Sequence, residues 1–145
     1  MIKQFEKLTS DETELLLKAP VLVSVLASTA DHEVGALEKA DAIKLAHFKT
    51  FTADPMLIPY YKEVDKNFIQ NFEMTVKKYA PFDAVQREKL KKKINIVNTI
   101  IAKLNKEYAK TLHMSLSDYA EHVKKAGRGL LENFIFPLPL SGLNN

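Results

Sequence analysis

Between Ala30 and Asp41 the chain sets out five side chains able to ligate a cation: Asp31, His32, Glu33, Glu38 and Asp41. If one helix ends near Asp31 and the next begins near Gly35, the carboxylates of Asp31, Glu33 and Glu38 fall within reach of a single turn. Glu38 and Asp41, three residues apart, then share a helix face. Three or four carboxylates suit a hard divalent cation such as calcium, magnesium or manganese. His32 would add a nitrogen donor and move the preference towards zinc. The spacing is not that of an EF-hand loop, because neither the alternating ligands nor the terminal glutamate is present. The same residues also have a purely structural reading. Asp31 or Glu33 caps the second helix, and Glu38 and Asp41 belong to a solvated face that pairs with lysines.

The remaining reactive side chains are scattered. His47 falls on the inner half of a predicted helix, as a core or boundary residue. His113 is expected near a helix end, where a charged ring would complement the dipole, and His122 shares a face with Asp118 four residues earlier. Three residues before His47, His113 and His122 stand Lys44, Lys110 and Tyr119, so the glutamate–histidine pairs of di-iron bundles are absent. No glycine-rich phosphate loop or nucleophile elbow is present, and no catalytic residue can be named. Lys77-Lys78, Lys89, Lys91-Lys92-Lys93 and Lys124-Lys125 lack interleaved arginines, so a solvated basic face is expected rather than a nucleic-acid surface.

Positioning the acidic turn falls to an all-α framework. Thr9 with Glu12 forms a capping box for a first helix over about Ser10 to Ala30, kinked or divided at Pro20. From Pro20 its valines and leucines occupy nearly every face, so other helices must enclose it. A second helix is predicted from Ala36 to about Thr52, with Leu37, Ala40, Ile43, Ala46 and Phe51 inward. A third follows Asp54-Pro55 and runs to about Tyr79, carrying Leu57, Tyr61, Val64, Phe68, Phe72, Val76 and Tyr79 at helical spacing. Asp83 and Gln86 start a fourth, expected to reach Leu112, whose Leu90, Ile94, Val97, Ile101, Leu104 and Tyr108 form a heptad-like seam. A fifth would start at Ser115 or Ser117, with Leu116, Tyr119 and Val123 inward. Residues 135–145 are expected as an extended apolar tail lying across the bundle or a second copy. The expectation is one compact domain, 1–145, of about five main helices around a central apolar helix.

Ala30-Asp31-His32-Glu33-Val34, with Glu38 following, resembles the turn of the TerB-like family associated with tellurite resistance. That signature is an Ala-Asp-Gly turn, a hydrophobe shortly after, and a glutamate opening the next helix. The apolar helix before the motif and the helical remainder are also similar to that family. The resemblance implies a helical bundle in which acidic residues at this turn are implicated in metal binding, with Asp31 and Glu38 as the matching positions. Glu33 and Asp41 are helpers on this reading. His32 stands where the family has glycine, and Phe82-Asp83-Ala84-Val85 with Glu88 is a degenerate echo of a second such turn. The specific match covers roughly ten residues of the chain.

Composition narrows the rest. With 46% apolar and 27% charged residues and no cysteine, a chain of 145 residues can bury a core without crosslinks. Thiol chemistry and thiolate metal sites are excluded. Residues 1–60 carry a net charge of −3 and residues 61–145 a net +6, a division that favours attraction within the fold over a polyanionic partner. The apolar run of Ala19 to Ala30 is shorter than the roughly 20 residues a membrane span requires, and the acids before it oppose a secretory leader. A cytoplasmic, non-enzymatic helical domain is expected, binding a divalent cation such as calcium, magnesium or zinc, in a stress-related or scaffolding role. The alternative is a metal-free interaction module that uses its apolar tail to hold another protein or a second copy of itself, with neither nucleic acid nor a membrane span involved.

Overall fold

A computed structural model describes residues 2–29 and 34–126. Among these the protein is all-helical, with seven α-helices: α1 (Ser10–Leu17), α2 (Ala19–Ala27), α3 (Ala36–Thr52), α4 (Ile58–Lys66), α5 (Phe68–Tyr79), α6 (Ala84–Ile101) and α7 (Lys106–Ala126). Single 3-10 turns at Lys3–Phe5 and Pro55–Leu57 precede α1 and α4. The expected tail at 135–145 lies outside the described residues.

The chain is arranged around α2. All nine of its residues are buried, and α7, α5, α6, α3 and α1 pack around it. Pro20 stands at its first turn, where the missing N–H costs no helical bond, so the apolar run becomes a helix of its own behind α1. Its serines introduce no unmet polarity. Ser24 Oγ donates to the Pro20 carbonyl and Ser28 Oγ to the Ser24 carbonyl, each at 2.6 Å, and Thr29 donates to Leu26 at 2.9 Å.

Capping follows the sequence closely at α1, where Thr9 Oγ1 accepts from the Glu12 N–H and the Glu12 carboxylate accepts from the Thr9 N–H. Asp83 caps α6 through the Gln86 N–H at 2.9 Å. Elsewhere the expected divisions move. The third predicted helix is cut at Asn67, whose backbone (φ −126°, ψ 20°) leaves the helical region between α4 and α5. The fourth stops at Ile101 instead of Leu112. The reason is Asn105, whose Oδ1 accepts from the N–H groups of Glu107 and Tyr108 at 3.0 and 3.3 Å and so starts α7. No helix starts at Ser115 or Ser117. Ser115 is buried within α7, and its hydroxyl bonds the Tyr61 hydroxyl at 2.6 Å instead of a backbone amide.

The seam Leu90, Ile94, Val97, Ile101, Leu104, Tyr108 is buried throughout and runs across the α6–α7 corner. On α3 the inward face is narrower than expected. Ala42 and Ala46 are buried, Leu37 and Phe51 are exposed, and Ile43 is half-buried. Small residues there let α3 approach α7 and α4 closely. Four tyrosines fill the interior, and three of their hydroxyls bond across helices. Tyr60 donates to the Leu16 carbonyl at 2.7 Å, Tyr61 meets Ser115, and Tyr119 donates to the Ala42 carbonyl at 2.5 Å. Burial pushes all four phenol pKa values up, so none supplies charge to the interior.

Candidate functional site

The acidic turn joins α2 to α3. Of its four carboxylates, Asp31 and Glu33 lie outside the described residues, as does His32, while Glu38 and Asp41 stand on the first two turns of α3. Gly35 is the residue before the helix, in extended backbone (φ −74°, ψ 153°). The Glu38 carboxylate folds back over Gly35 and occupies the place where a side chain at 35 would begin. Any other residue at 35 would displace it. The carboxylate therefore lies beside the turn and close to the N-terminal end of α3, where the helix dipole favours negative charge.

Asp41 turns towards α7. Its Oδ2 is shut off from solvent, accepts no hydrogen bond and lies 2.9 Å from His122 Nε2. The two side chains are 27% and 53% exposed, so they sit at the rim of the α3–α7 contact. Immediately beneath, Tyr119 bonds the Ala42 carbonyl, which fixes the two helices at this level. The expected His122–Asp118 pairing is replaced by this contact between helices, a relation that spacing within one helix could not reveal.

The other histidines also depart from expectation. His47 is 68% exposed, not an interior residue, and its Nδ1 lies 3.3 Å from Asp65 Oδ2 on α4. His113 is 1% exposed in the middle of α7, so a charge at a helix end is not its role. Its Nε2 lies 3.1 Å from Asn98 Oδ1 on α6, and burial lowers its pKa to about 4. The ring is neutral at physiological pH, with Nε2–H as donor to the amide oxygen.

Among the described residues no three His, Cys, Asp or Glu side chains gather into a metal site by themselves. What they offer at the turn is one carboxylate over Gly35 and one carboxylate–imidazole pair. A second polar constellation lies between α1, α2, α5 and α6. Lys77, Lys78, Lys89, Lys91 and Lys92 are exposed, as expected of a solvated face, and Lys93 is half-buried; Lys78 and Lys93 also border a cavity with Lys18. No described helix is long and apolar enough to cross a membrane. No family model, no curated protein and no solved structure matches the chain.

Proposed function

We propose that this protein is a non-enzymatic, TerB-like helical domain that binds a divalent cation at the α2–α3 turn, in a stress-related or scaffolding role. The observation that carries the reading is the enclosed Asp41 Oδ2 facing His122 Nε2 at 2.9 Å. Two donors on neighbouring corners of a coordination shell with bonds of about 2.0–2.2 Å stand roughly 3 Å apart, so the pair fits two adjacent ligands of one ion. Glu38 lies one helical turn away on the same face. Asp31 and Glu33, next to it in the chain, would complete the set. An imidazole among carboxylates suits zinc or manganese better than calcium or magnesium.

Thermal denaturation with each of these cations tests the reading. A site filled at about a hundred times its dissociation constant adds about 2.7 kcal/mol, which raises Tm by about 10 °C for a domain of this size. The Glu38→Gln/Asp41→Asn double variant should show no rise, and His122→Gln should lose the response to zinc more than that to calcium. An equal rise in wild type and double variant, or none in wild type with any of the four cations, would sink the proposal.

A second reading has its own support. Phe48 and Phe51 on α3 are 42% and 62% exposed, with ring centroids 5.9 Å apart, an aromatic pair of the kind that anchors protein contacts. On that reading the chain is a metal-free interaction module whose contact surface is the apolar tail from Phe134 to Leu143. Light scattering separates the two readings: truncation after Pro137 should lower the measured assembly mass, and the Glu38/Asp41 variant should leave it unchanged.

A further inference from the structure

A cavity of about 280 Å³ lies between α1, α2, α5 and α6. Three lysines from three different parts of the chain border it: Lys18 at the α1–α2 junction, Lys78 near the end of α5, and Lys93 in the middle of α6. Among the described residues no carboxylate lines it. Lys18 makes an i,i+4 pair with the solvent-exposed Glu14 at 3.6 Å. Among the described residues, neither Lys78 nor Lys93 has a carboxylate within ion-pair distance. Between them Leu22 and Tyr79, which are 4% and 5% exposed, and the half-buried Leu15 give an apolar part of the floor, with Thr75 and Asn71 beside it.

Like charges around a concavity oppose one another, and with only Lys18 facing a carboxylate an anion in their midst relieves that opposition. Lysine ammonium groups recognise phosphate and carboxylate as point charges, without the planar fork that arginine would impose. An apolar floor beneath a polar rim is the general form of a small-molecule site, and this volume lies at the small end of such sites. We infer that the cavity binds a small anionic amphiphile, its phosphate or carboxylate head held by Lys18, Lys93 and Lys78, whose ammonium lies over the Tyr79 ring, and its short apolar body resting on Leu15 and Leu22. None of the described residues of the acidic turn lines this cavity, so the inference stands apart from metal binding.

Isothermal titration of the full chain with hexyl phosphate, octanoate, inorganic phosphate and hexanol tests it. Saturable binding of hexyl phosphate or octanoate is expected, and which of the two binds tighter identifies the head. Inorganic phosphate and hexanol should bind at least tenfold more weakly, because each lacks half of the complement. Lys78→Gln/Lys93→Gln should weaken the bound amphiphile at least tenfold with an unchanged urea midpoint, since neither lysine is in an ion pair. Lys91→Gln/Lys92→Gln, on the exposed face of the same helix, should bind as wild type does. The inference is overturned by absence of saturable binding for both amphiphiles, by equal affinity for hexanol or inorganic phosphate, or by equal losses in the two double variants.

Discussion

Replacing His113 by glutamine should change how the stability of this protein depends on acid. Burial holds the folded ring at a pKa of about 4, against about 6.5 in an unfolded chain. As pH falls, the unfolded state therefore takes up the proton first. The contribution of the neutral ring is fully present above about pH 6.5 and drains away between there and pH 4. At pH 5 the ring is almost wholly protonated in the unfolded chain and about 10% protonated in the fold, which costs about 2 kcal/mol relative to pH 8. Glutamine keeps an N–H within reach of Asn98 Oδ1 but does not titrate. Urea unfolding of both proteins at pH 8 and pH 5 should show the wild type losing about 2 kcal/mol more than the variant over that interval. The double difference matters because every other titrating group is common to both proteins. Equal losses, or a His113 ring resonance that titrates above pH 6, would refute the account of a neutral, buried ring.

Three further substitutions test the frame that holds the sites. Tyr119→Phe removes the hydroxyl bonded to the Ala42 carbonyl but keeps the ring stacked at 6.3 Å on Tyr61, so about 1 kcal/mol should be lost in urea unfolding with an unchanged m-value. Leu26→Ala, at a fully buried position of α2, should cost about 3–4 kcal/mol, read as a marked fall in Tm with the helical circular dichroism retained at low temperature. Asn105→Ala deletes the side chain that caps α7 and should cost about 1 kcal/mol; an increase in stability would show instead that a continuous α6–α7 helix is accessible.

Much of the frame was legible because local chemistry decided it. The Thr9–Glu12 box, Pro20 at the head of α2 and Asp83 before α6 act over three or four residues, and each stands where the sequence places it. The boundaries of α3 were equally plain. Asn105 was harder to read, because an asparagine within an apolar seam is compatible with both a continuing helix and a new cap. The seam Leu90 to Tyr108 stays buried on both sides of the corner, so hydrophobic spacing alone passed over the break. Ser115 misled for the opposite reason: a residue with capping chemistry was committed to a tyrosine from another helix. The same division holds at the site. Glu38 and Asp41 share a helix face as spacing requires, but the partner of Asp41 comes from α7, more than eighty residues away. His113 shows no sign in the sequence of its burial against Asn98, since a histidine between lysines and serines looks solvated until the opposing helix is in place.

Three tyrosine hydroxyls were described above as interior hydrogen bonds, and together they have a mechanical consequence. Tyr60 ties α4 to α1, Tyr61 ties α4 to α7, and Tyr119 ties α7 to α3. They act as pegs between rods, because a hydroxyl bond tolerates far less displacement than the roughly 5.4 Å needed to slide a helix by one turn. Interdigitated apolar side chains already resist sliding, and the hydroxyl bonds add a directional restraint. Here α3 cannot shift along its axis without dragging α7, and α7 cannot shift without disturbing α4. A pull on the first turns of α3 would therefore travel as movement of a linked group of helices, from α3 through α7 to α4 and α1.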